Sequence, residues 1–391
     1  MKGVGLAMIV PGTADVVIIG GGVMGASTAY HLALRGQKNI LLLEKEEFFG
    51  QGATGRCAGG VRYQFSTEVN VRLSLQSLPM LERFKDEIGQ EINFHKCGYL
   101  FVLTRPEDVK TFRHSLELQQ NLGVHTEWLA PDEIHRRLPL MRFEDALAGS
   151  FNPEDGLVDP NSVVMGYVGA AQRLGVHCLN NVDVIGIQVA AGKIVAVETN
   201  LGTISTQVIV NAAGPWAGLI GQMAGVALPI VPYRRQIMTT TPLLEVPQDF
   251  PFVLDFAQSL YFHREGDGIL TGMSNLNEKA GFDQTVDEDF ELVNLEAAIA
   301  RMPCLEKAGL LSHWAGLYEV TPDAHPIYGK TPVDGFYIVA GFSGHGFMHG
   351  PISGKLMAEC ILDGKFQSQD VSMLDLARFK EGRQIREFNV V

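Results

Sequence analysis

The sequence has little of what marks several protein classes. Its five cysteines (Cys57, Cys97, Cys178, Cys304 and Cys360) are odd in number, widely spaced and free of any C-x-x-C. That argues against a disulfide framework, a structural zinc site or a redox dithiol, and it predicts a reduced, cytoplasmic setting. The histidines show no metal-ligand spacing. No lysine/arginine block is present, and 31 Lys+Arg against 44 Asp+Glu give a net charge of −13. A nucleic-acid partner therefore lacks its electrostatic driving force. No internal repeat and no low-complexity linker occurs. Val16 to Leu34 carries no Asp, Glu, Lys or Arg and is as long as a membrane span, but Gly20, Gly21, Gly22 and Gly25 interrupt it. A strand, a turn and a helix explain it better than a span. Met1–Gly12 has one lysine and no convincing cleavage site, so no secretion signal is expected.

What is present is a folded composition. The 391 residues are 46% hydrophobic and 19% charged, with 43 glycines, enough apolar material for two or three domain-sized units. Val16–Ile19 is a β-branched run that reads as a strand buried on both faces of a parallel sheet. A glycine-rich turn, a helix to about Arg35 and a second buried strand, Ile40–Leu43, complete a βαβ unit. A helix is expected over Glu68–Ile88, a strand over Tyr99–Leu103, and helices over Pro106–Asn121 and Asn161–Leu174. Val182–Val189, Lys193–Glu198 and Gln207–Val210 read as strands. Pro229–Leu270 reads as antiparallel sheet, and Asp289–Met302 as a helix. Phe336–Ala340 returns to a buried strand before a final helix to Leu362. The fold class is therefore α/β with an α+β division: a Rossmann-like domain (1–90, 155–228 and 319–391) interleaved with a mixed, largely antiparallel domain (91–154 and 229–318).

The glycine turn has a mechanism. Gly20 allows the tight turn, Gly22 lets the backbone approach a pyrophosphate, and Gly25 permits close helix–strand packing. Val23 and Met24 open the helix, whose N-terminus supplies free N–H groups and a positive dipole end. Glu44, followed by Lys45, closes the second strand 24 residues after Gly20. A carboxylate there accepts from ribose hydroxyls and repels a 2′-phosphate.

Five segments together carry a resemblance: Gly20–Gly25 with Glu44-Lys45, Ala53-Thr54-Gly55-Arg56 through Arg62, Asn211-Ala212-Ala213-Gly214-Pro215-Trp216, Tyr318-Glu319-Val320-Thr321-Pro322-Asp323, and Gly341-Phe342-Ser343-Gly344-His345-Gly346-Phe347. In order and spacing the chain resembles the FAD-dependent amino-acid oxidoreductases of the D-amino-acid oxidase superfamily. It is nearest to the sarcosine oxidase β-subunit, dimethylglycine/sarcosine dehydrogenase and L-proline dehydrogenase branch. The resemblance covers essentially the whole chain. It implies that Thr54, Arg56 and Cys57 pass beside the flavin, that Val184 meets the adenine, and that Ala213, Gly214 and Trp216 lie along the cofactor. It further implies that Gly341 to Met348, including Gly344, His345, Gly346 and Phe347, wrap the pyrimidine end. A helix starting near Gly344 would aim its N–H groups at the flavin edge where negative charge develops.

The resemblance also implies basic side chains holding a substrate carboxylate. Arg62 matches one such position, and a guanidinium suits a bidentate carboxylate contact. His345 is expected beside the flavin, as part of the active-site wall or as a proton acceptor. Tyr261 and His263 lie on a candidate pocket strand. Three departures matter. Gly316-Leu317-Tyr318 stands where monomeric sarcosine oxidases attach FAD through cysteine, and Arg56 where the dimethylglycine dehydrogenase type uses histidine, so noncovalent FAD is expected. Met348 and Leu270 replace the family's lysines, which favours a dehydrogenase over an oxidase.

The leading reading is oxidation of a small amino acid or N-methyl amino acid (sarcosine, proline, dimethylglycine or glycine class) by hydride transfer to flavin N5. The alternatives are an electron-transferring β-subunit with partner chains, and a noncatalytic flavin-binding assembly protein. A flavin-free nicotinamide dehydrogenase would leave the flavin-side motifs without purpose.

Overall fold

Two short apolar runs found the first layer. Val16–Ile19 and Ile40–Leu43 are strands buried at every position and paired in parallel, Val16 opposite Ile40 and Ile19 opposite Leu43. The computed structural model describes residues 10–390, so most of the N-terminal segment read above for a secretion signal lies outside the described residues. Ile209–Asn211 and Phe336–Ala340 extend this sheet on one side and His177–Leu179 on the other, all in parallel. Ile327–Lys330 closes it as an antiparallel edge.

Strands apolar at every position need cover on both faces. Val16, Ile18, Ile40 and Leu42 pack against the helices Val23–Leu34, Pro160–Arg173 and Gly346–Asp363. Val17, Ile19, Leu41 and Leu43 face the other way, onto Val184, Ile194, Val197 and Ile204. Those four belong to a three-stranded antiparallel sheet, Val184–Ala190, Lys193–Thr199 and Gly202–Ser205.

The second layer is an eight-stranded sheet. In spatial order its strands are Leu310–Val320, Val231–Thr240, Gly268–Met273, Leu260–Glu265, Phe252–Asp255, Tyr99–Leu103, Ala148–Asn152 and Glu127–Leu129. Neighbours are antiparallel except Phe252–Asp255 with Tyr99–Leu103. Period-two alternation sorts its side chains. Leu100, Val102, Val253, Phe262 and Ile269 bury against Ala298 and Met302 at the helix Glu288–Arg301. Tyr99, Phe101, Ile237, Phe252 and Tyr261 occupy the opposite face, toward the first layer.

The fold class expected from the sequence, a parallel sheet of Rossmann type beside a mixed, largely antiparallel sheet, is therefore the one observed. Two details differ. The predicted single helix over 68–88 is two, Glu68–Glu82 and Phe84–Ile88, turning at Arg83. Pro79 lies in the last turn of the first, where it removes a backbone donor. The long strand Leu310–Val320 carries no expectation, because it is an edge strand, largely exposed over its first half, and lacks clean alternation.

Candidate active site

The cofactor side is built at the carboxyl ends of the parallel strands. After Ile19 the chain turns through Gly20 at φ 111, a conformation only glycine adopts freely. A Cβ on Gly25 would stand 1.9 Å from the Gly20 carbonyl oxygen, so the helix packs on the turn only while position 25 has no side chain. Glu44 braces the same turn from the second strand. Its Oε2 accepts from the Gly21 N–H at 2.8 Å and its Oε1 from the Glu46 N–H at 2.9 Å. Burial raises its carboxyl above the ordinary range, opposed by those two backbone bonds. The Thr54 hydroxyl accepts from the Val23 N–H at 3.2 Å, tying the loop after the second strand to the helix N-terminus.

These elements surround a cavity of about 540 Å³. Gly20, Gly22, Val23, Met24 and Thr54 line its floor along the turn and helix start. Glu44, Lys45 and Val184 line it where the second strand meets the three-stranded sheet. Ala213, Gly214 and Trp216 form another wall, with the Lys45 ammonium 3.7 Å from the centre of the Trp216 ring. Cys57, Tyr318, Glu319, Gly344, Gly346 and Phe347 line the remaining side. Glu319 is a residue whose role there the sequence did not reveal. Its Oε1 accepts from the Phe342 N–H at 3.2 Å, while its buried Oε2 has no partner and stands beside Gly214. Burial pushes its carboxyl up to about 7.

A second compartment, of about 80 Å³, adjoins the first and shares Ala53, Cys57, Leu317 and Tyr318 with it. Its far wall is the inner face of the large sheet: Tyr99, Arg235, Ile237, Phe252, Leu254 and Tyr261. Tyr99 stacks on Phe252 with ring centres 4.1 Å apart and planes 8° apart, and Phe252 in turn lies 5.7 Å from Tyr261. Gly344 sets the partition, because a Cβ there would meet the Tyr318 ring at 2.4 Å. Burial raises the phenols of Tyr99, Tyr261 and Tyr318, so they stay protonated and act as donors at neutral pH.

Several residues singled out from the sequence stand elsewhere. Arg56 lines the second compartment, not the first; its Nη1 donates to the Ala315 carbonyl at 2.7 Å and its Nε to that of Gln51 at 3.3 Å. Arg62 reaches neither cavity. Its guanidinium donates to the carbonyls of Gln64 and Asn389 and lies 4.0 Å over the Phe65 ring, so it ties the C-terminal tail to the core. The expected contact of Arg62 with a substrate carboxylate is corrected accordingly. His345 also turns inward. Gly344 at φ 98 redirects the chain, and the imidazole packs edge-on against Phe65 and His349, each 5.3 Å away. Both its nitrogens are buried without partners, and burial first, then His349, holds it neutral. Met348 and Gly341 lie behind the wall: Met348 in the helix-side core, Gly341 against Thr321. His263 is buried below the compartment, lowered to about 4 by burial.

Besides Glu319, sequence reasoning missed Arg235, Tyr99 and Phe252. The signal for Arg235 was the Arg234-Arg235 pair at the head of a strand. Alternation must send one of two consecutive arginines inward.

A parallel dinucleotide sheet whose elongated cavity opens onto a small chamber under an antiparallel sheet defines a two-domain flavin-dependent oxidoreductase. The chain belongs to the FAD dependent oxidoreductase family (DAO), which matches residues 15–360. The cradle fits that cofactor: a glycine turn at a helix start, a buried acid at the end of the second strand, and an unpartnered Glu319 oxygen. The mitochondrial dimethylglycine dehydrogenase of Rattus norvegicus is 32% identical over 373 residues, covering 90% of this chain and 43% of that protein. The mitochondrial sarcosine dehydrogenase of Homo sapiens is 32% identical over 386 residues, covering 94% and 42%. The chain thus spans less than half the length of these relatives. The crystal structure of L-proline dehydrogenase from P. horikoshii superposes with a TM-score of 0.89 at 35% identity, covering 96% of this chain and 100% of that one.

Proposed function

We propose that this protein oxidises a small amino acid or N-methyl amino acid, of the sarcosine, proline, dimethylglycine or glycine class, at the carbon beside the amine nitrogen. The observation that carries this reading is the 80 Å³ chamber joined to the cofactor cavity across Cys57, Leu317 and Tyr318. A chamber of that size admits a compact substrate to one end of the cofactor and little else. Bound noncovalently, FAD supplies the hydride acceptor. The chain positions the substrate and excludes water, which is where most of the rate enhancement of such a reaction arises. Tyr261, Tyr99 and Tyr318 offer phenolic donors to the substrate. Among the described residues the chamber lining contains no Asp, Glu, His or Lys, so no group of the chamber itself deprotonates the amine, which loses its C–H hydride from the neutral form. The product iminium then hydrolyses in water.

The activity names of the relatives support this reading, as does the integrity of the whole cofactor path. The five cysteines, none of them in a disulfide, support a reducing, cytoplasmic setting. Transfer of the electrons to a partner subunit is the second reading, favoured by the missing lysines at Met348 and Leu270. Anaerobic mixing of the yellow holoenzyme with a panel of amino acids tests the proposal. Bleaching by at least one small amino acid is expected; a flavin that no amino acid or amine reduces would overturn it. Flavin remaining in the acid precipitate would overturn noncovalent binding, and copurifying chains would identify partners.

A further inference from the structure

The acidic side chains lining the cofactor cavity among the described residues are Glu44, Glu46, Asp183 and Glu319. Three of them gather at one end. Glu44 braces the glycine turn through Gly21, Glu46 lies 3.4 Å from the Lys45 ammonium, and Asp183 precedes the strand that begins at Val184. Glu319 stands apart, directly after Leu317 and Tyr318, the pair that the cavity shares with the second compartment. A glycine turn at a helix start takes a pyrophosphate, and an acid after the second strand takes the ribose. The flavin ring is left for the end where Glu319 stands.

No cation balances Glu319. Its Oε1 accepts from the Phe342 N–H at 3.2 Å, its main-chain carbonyl accepts from the Ser343 N–H at 3.0 Å, and its buried Oε2 has no partner beside Gly214. Tyr318 on its own strand, Arg234 and Arg235 on the paired strand Val231–Thr240, and Lys45 and Cys57 across the cavity are the charged and titratable groups around it. Arg234 is taken up on the outer face by Glu278, Asp283 and Asp287. Arg235 lines the chamber, with its Nη1 donating to the Arg234 carbonyl at 2.8 Å, and Lys45 sits on the Trp216 ring. Burial keeps the Tyr318 phenol and the Cys57 thiol neutral. Among the described residues no basic group comes within salt-bridge distance of Glu319. Burial, opposed by the N–H groups of Phe342 and Gly341, pushes its carboxyl up to about 7.

We infer that Glu319 is a proton-uptake site coupled to the cofactor: the protein holds reduced FAD with Glu319 neutral, and takes up one proton there from solvent across loading and reduction. The reason is electrostatic. FAD brings a charged pyrophosphate, and a hydride adds one further negative charge. A carboxylate facing that charge in a water-excluded cavity repels it, whereas a neutral carboxyl does not. The balance closes simply. The hydride, with its two electrons, leaves the C–H bond of an amine donor and stays on the cofactor. The proton comes from bulk water, and the bond formed on the protein is the Glu319 O–H. When an acceptor removes the electrons, Glu319 returns its proton to water. Its Oε1 can accept from Phe342 in either state, so the flavin-side loop stays held while the charge changes. The inference depends on FAD and not on which substrate is oxidised, and its test uses no substrate.

The quantity to measure is the affinity for reduced FAD from about pH 6 to about pH 9. Diluting the FAD-loaded protein and reading recovered flavin fluorescence gives the affinity for the oxidised form. The midpoint potential, from photoreduction beside a reference dye, converts it to that for the reduced form. Glu319→Gln keeps an acceptor for Phe342 and cannot ionise. Below about pH 7 the two proteins should run parallel. Above it the wild type should weaken relative to Glu319→Gln by about tenfold per pH unit, since loading then requires a proton. Whatever part of that uptake belongs to reduction shows as about 30 mV per tenfold in the midpoint potential. Glu319→Asp should keep the pH dependence. A side chain that merely braced the loop would shift the affinity by one factor at every pH. A ratio of wild type to Glu319→Gln that is constant across the range would therefore overturn the inference. Should Glu319→Gln lose flavin at every pH, the wild type decides: an affinity for reduced FAD that stays flat above about pH 7 overturns it, and a fall upholds it.

Discussion

The cofactor cavity and the substrate chamber share a wall, yet they are assembled in opposite ways. The cavity is assembled from short local runs: the turn Gly20–Gly25, the strand end Glu44-Lys45, the loop at Thr54, Val182–Ile185, Ala212–Trp216, Leu317–Glu319 and the helix start at Gly346. The glycines act through backbone geometry that a local pattern encodes, braced by the Glu44 carboxylate and the Thr54 hydroxyl. The chamber takes Tyr99, Arg235, Phe252, Tyr261 and Tyr318 from five strands of one sheet, separated by up to 219 residues. Apart from the runs Arg56–Gly60 and Gly316–Tyr318, its members are related only by strand order and register. The turn of the cofactor side is therefore set by backbone shape, whereas the far wall of the substrate side is made of side chains that can change singly without unmaking the fold.

That contrast can be broken first at Gly25. Gly25→Val places carbon 1.9 Å from the Gly20 carbonyl oxygen. It should cost at least about 3 kcal/mol and abolish FAD retention. Flavin content and a melting curve check it; a yellow, wild-type-stable variant would show that the turn tolerates side chains and that the contrast is false.

The next largest effect concerns electron disposal. Leu270 is buried in the sheet core and Met348 among the helices, so neither position offers an ammonium to the chamber. A fixed charge at a site of developing charge is commonly worth about 2.7–4 kcal/mol, roughly a hundred- to a thousandfold in rate. After photoreduction, electron transfer to an artificial dye should outpace transfer to oxygen at equal concentration. Stopped-flow traces of equal rate would restore an oxidase.

Arg62 sharpens the comparison with Arg235. Arg62→Met leaves the buried carbonyls of Gln64 and Asn389 without their donor. It should lower stability by about 2–4 kcal/mol and leave carboxylate affinity unchanged. Chemical denaturation, with a titration of the FAD-loaded protein by acetate read at the flavin absorbance, checks both; weakened carboxylate binding in a stable Arg62→Met protein would reinstate Arg62 on the substrate side.

The smallest effect lies in the histidine pair behind the flavin loop. Burial lowers His349 to about 3, while in the unfolded chain it titrates near 6.5. Below that value the unfolded state takes a proton that the folded state refuses. Wild-type stability is therefore lost as pH falls from about 6.5 toward 3, by about 2 kcal/mol from this group at pH 5. His349→Leu removes that slope, so its stability relative to wild type should rise on acidification from pH 7 to 5. A constant difference across that range would show that the imidazole titrates in the folded state. Ser74 remains satisfied in the variant through the Arg62 carbonyl.

Legibility in the sequence followed the range of the interactions. Val16–Ile19, Ile40–Leu43, Pro106–Asn121 and Phe336–Ala340 run between the residues expected, because continuous apolar runs and helix punctuation act within a few residues. Gly20, Glu44 and Thr54 reached the cofactor wall for the same reason. Arg62 and His345 lie within diagnostic segments but a few residues from the wall, and membership of a segment does not say which way a side chain points. Arg62 met two carbonyls, one from a tail 327 residues away, and the left-handed Gly344 swung His345 into the core.

By itself, then, the sequence determined the class of sheet, the glycine cradle and the acid that braces it, since steric limits on φ and the burial of apolar runs operate between near neighbours. Only the tertiary structure decided which arginine is buried as a strut, which is paired with three acids on the outer face, and which faces the chamber. A guanidinium carries the same charge everywhere; its role depends on what the rest of the fold brings within hydrogen-bond reach, and that is fixed by the pairing of strands far apart in the chain.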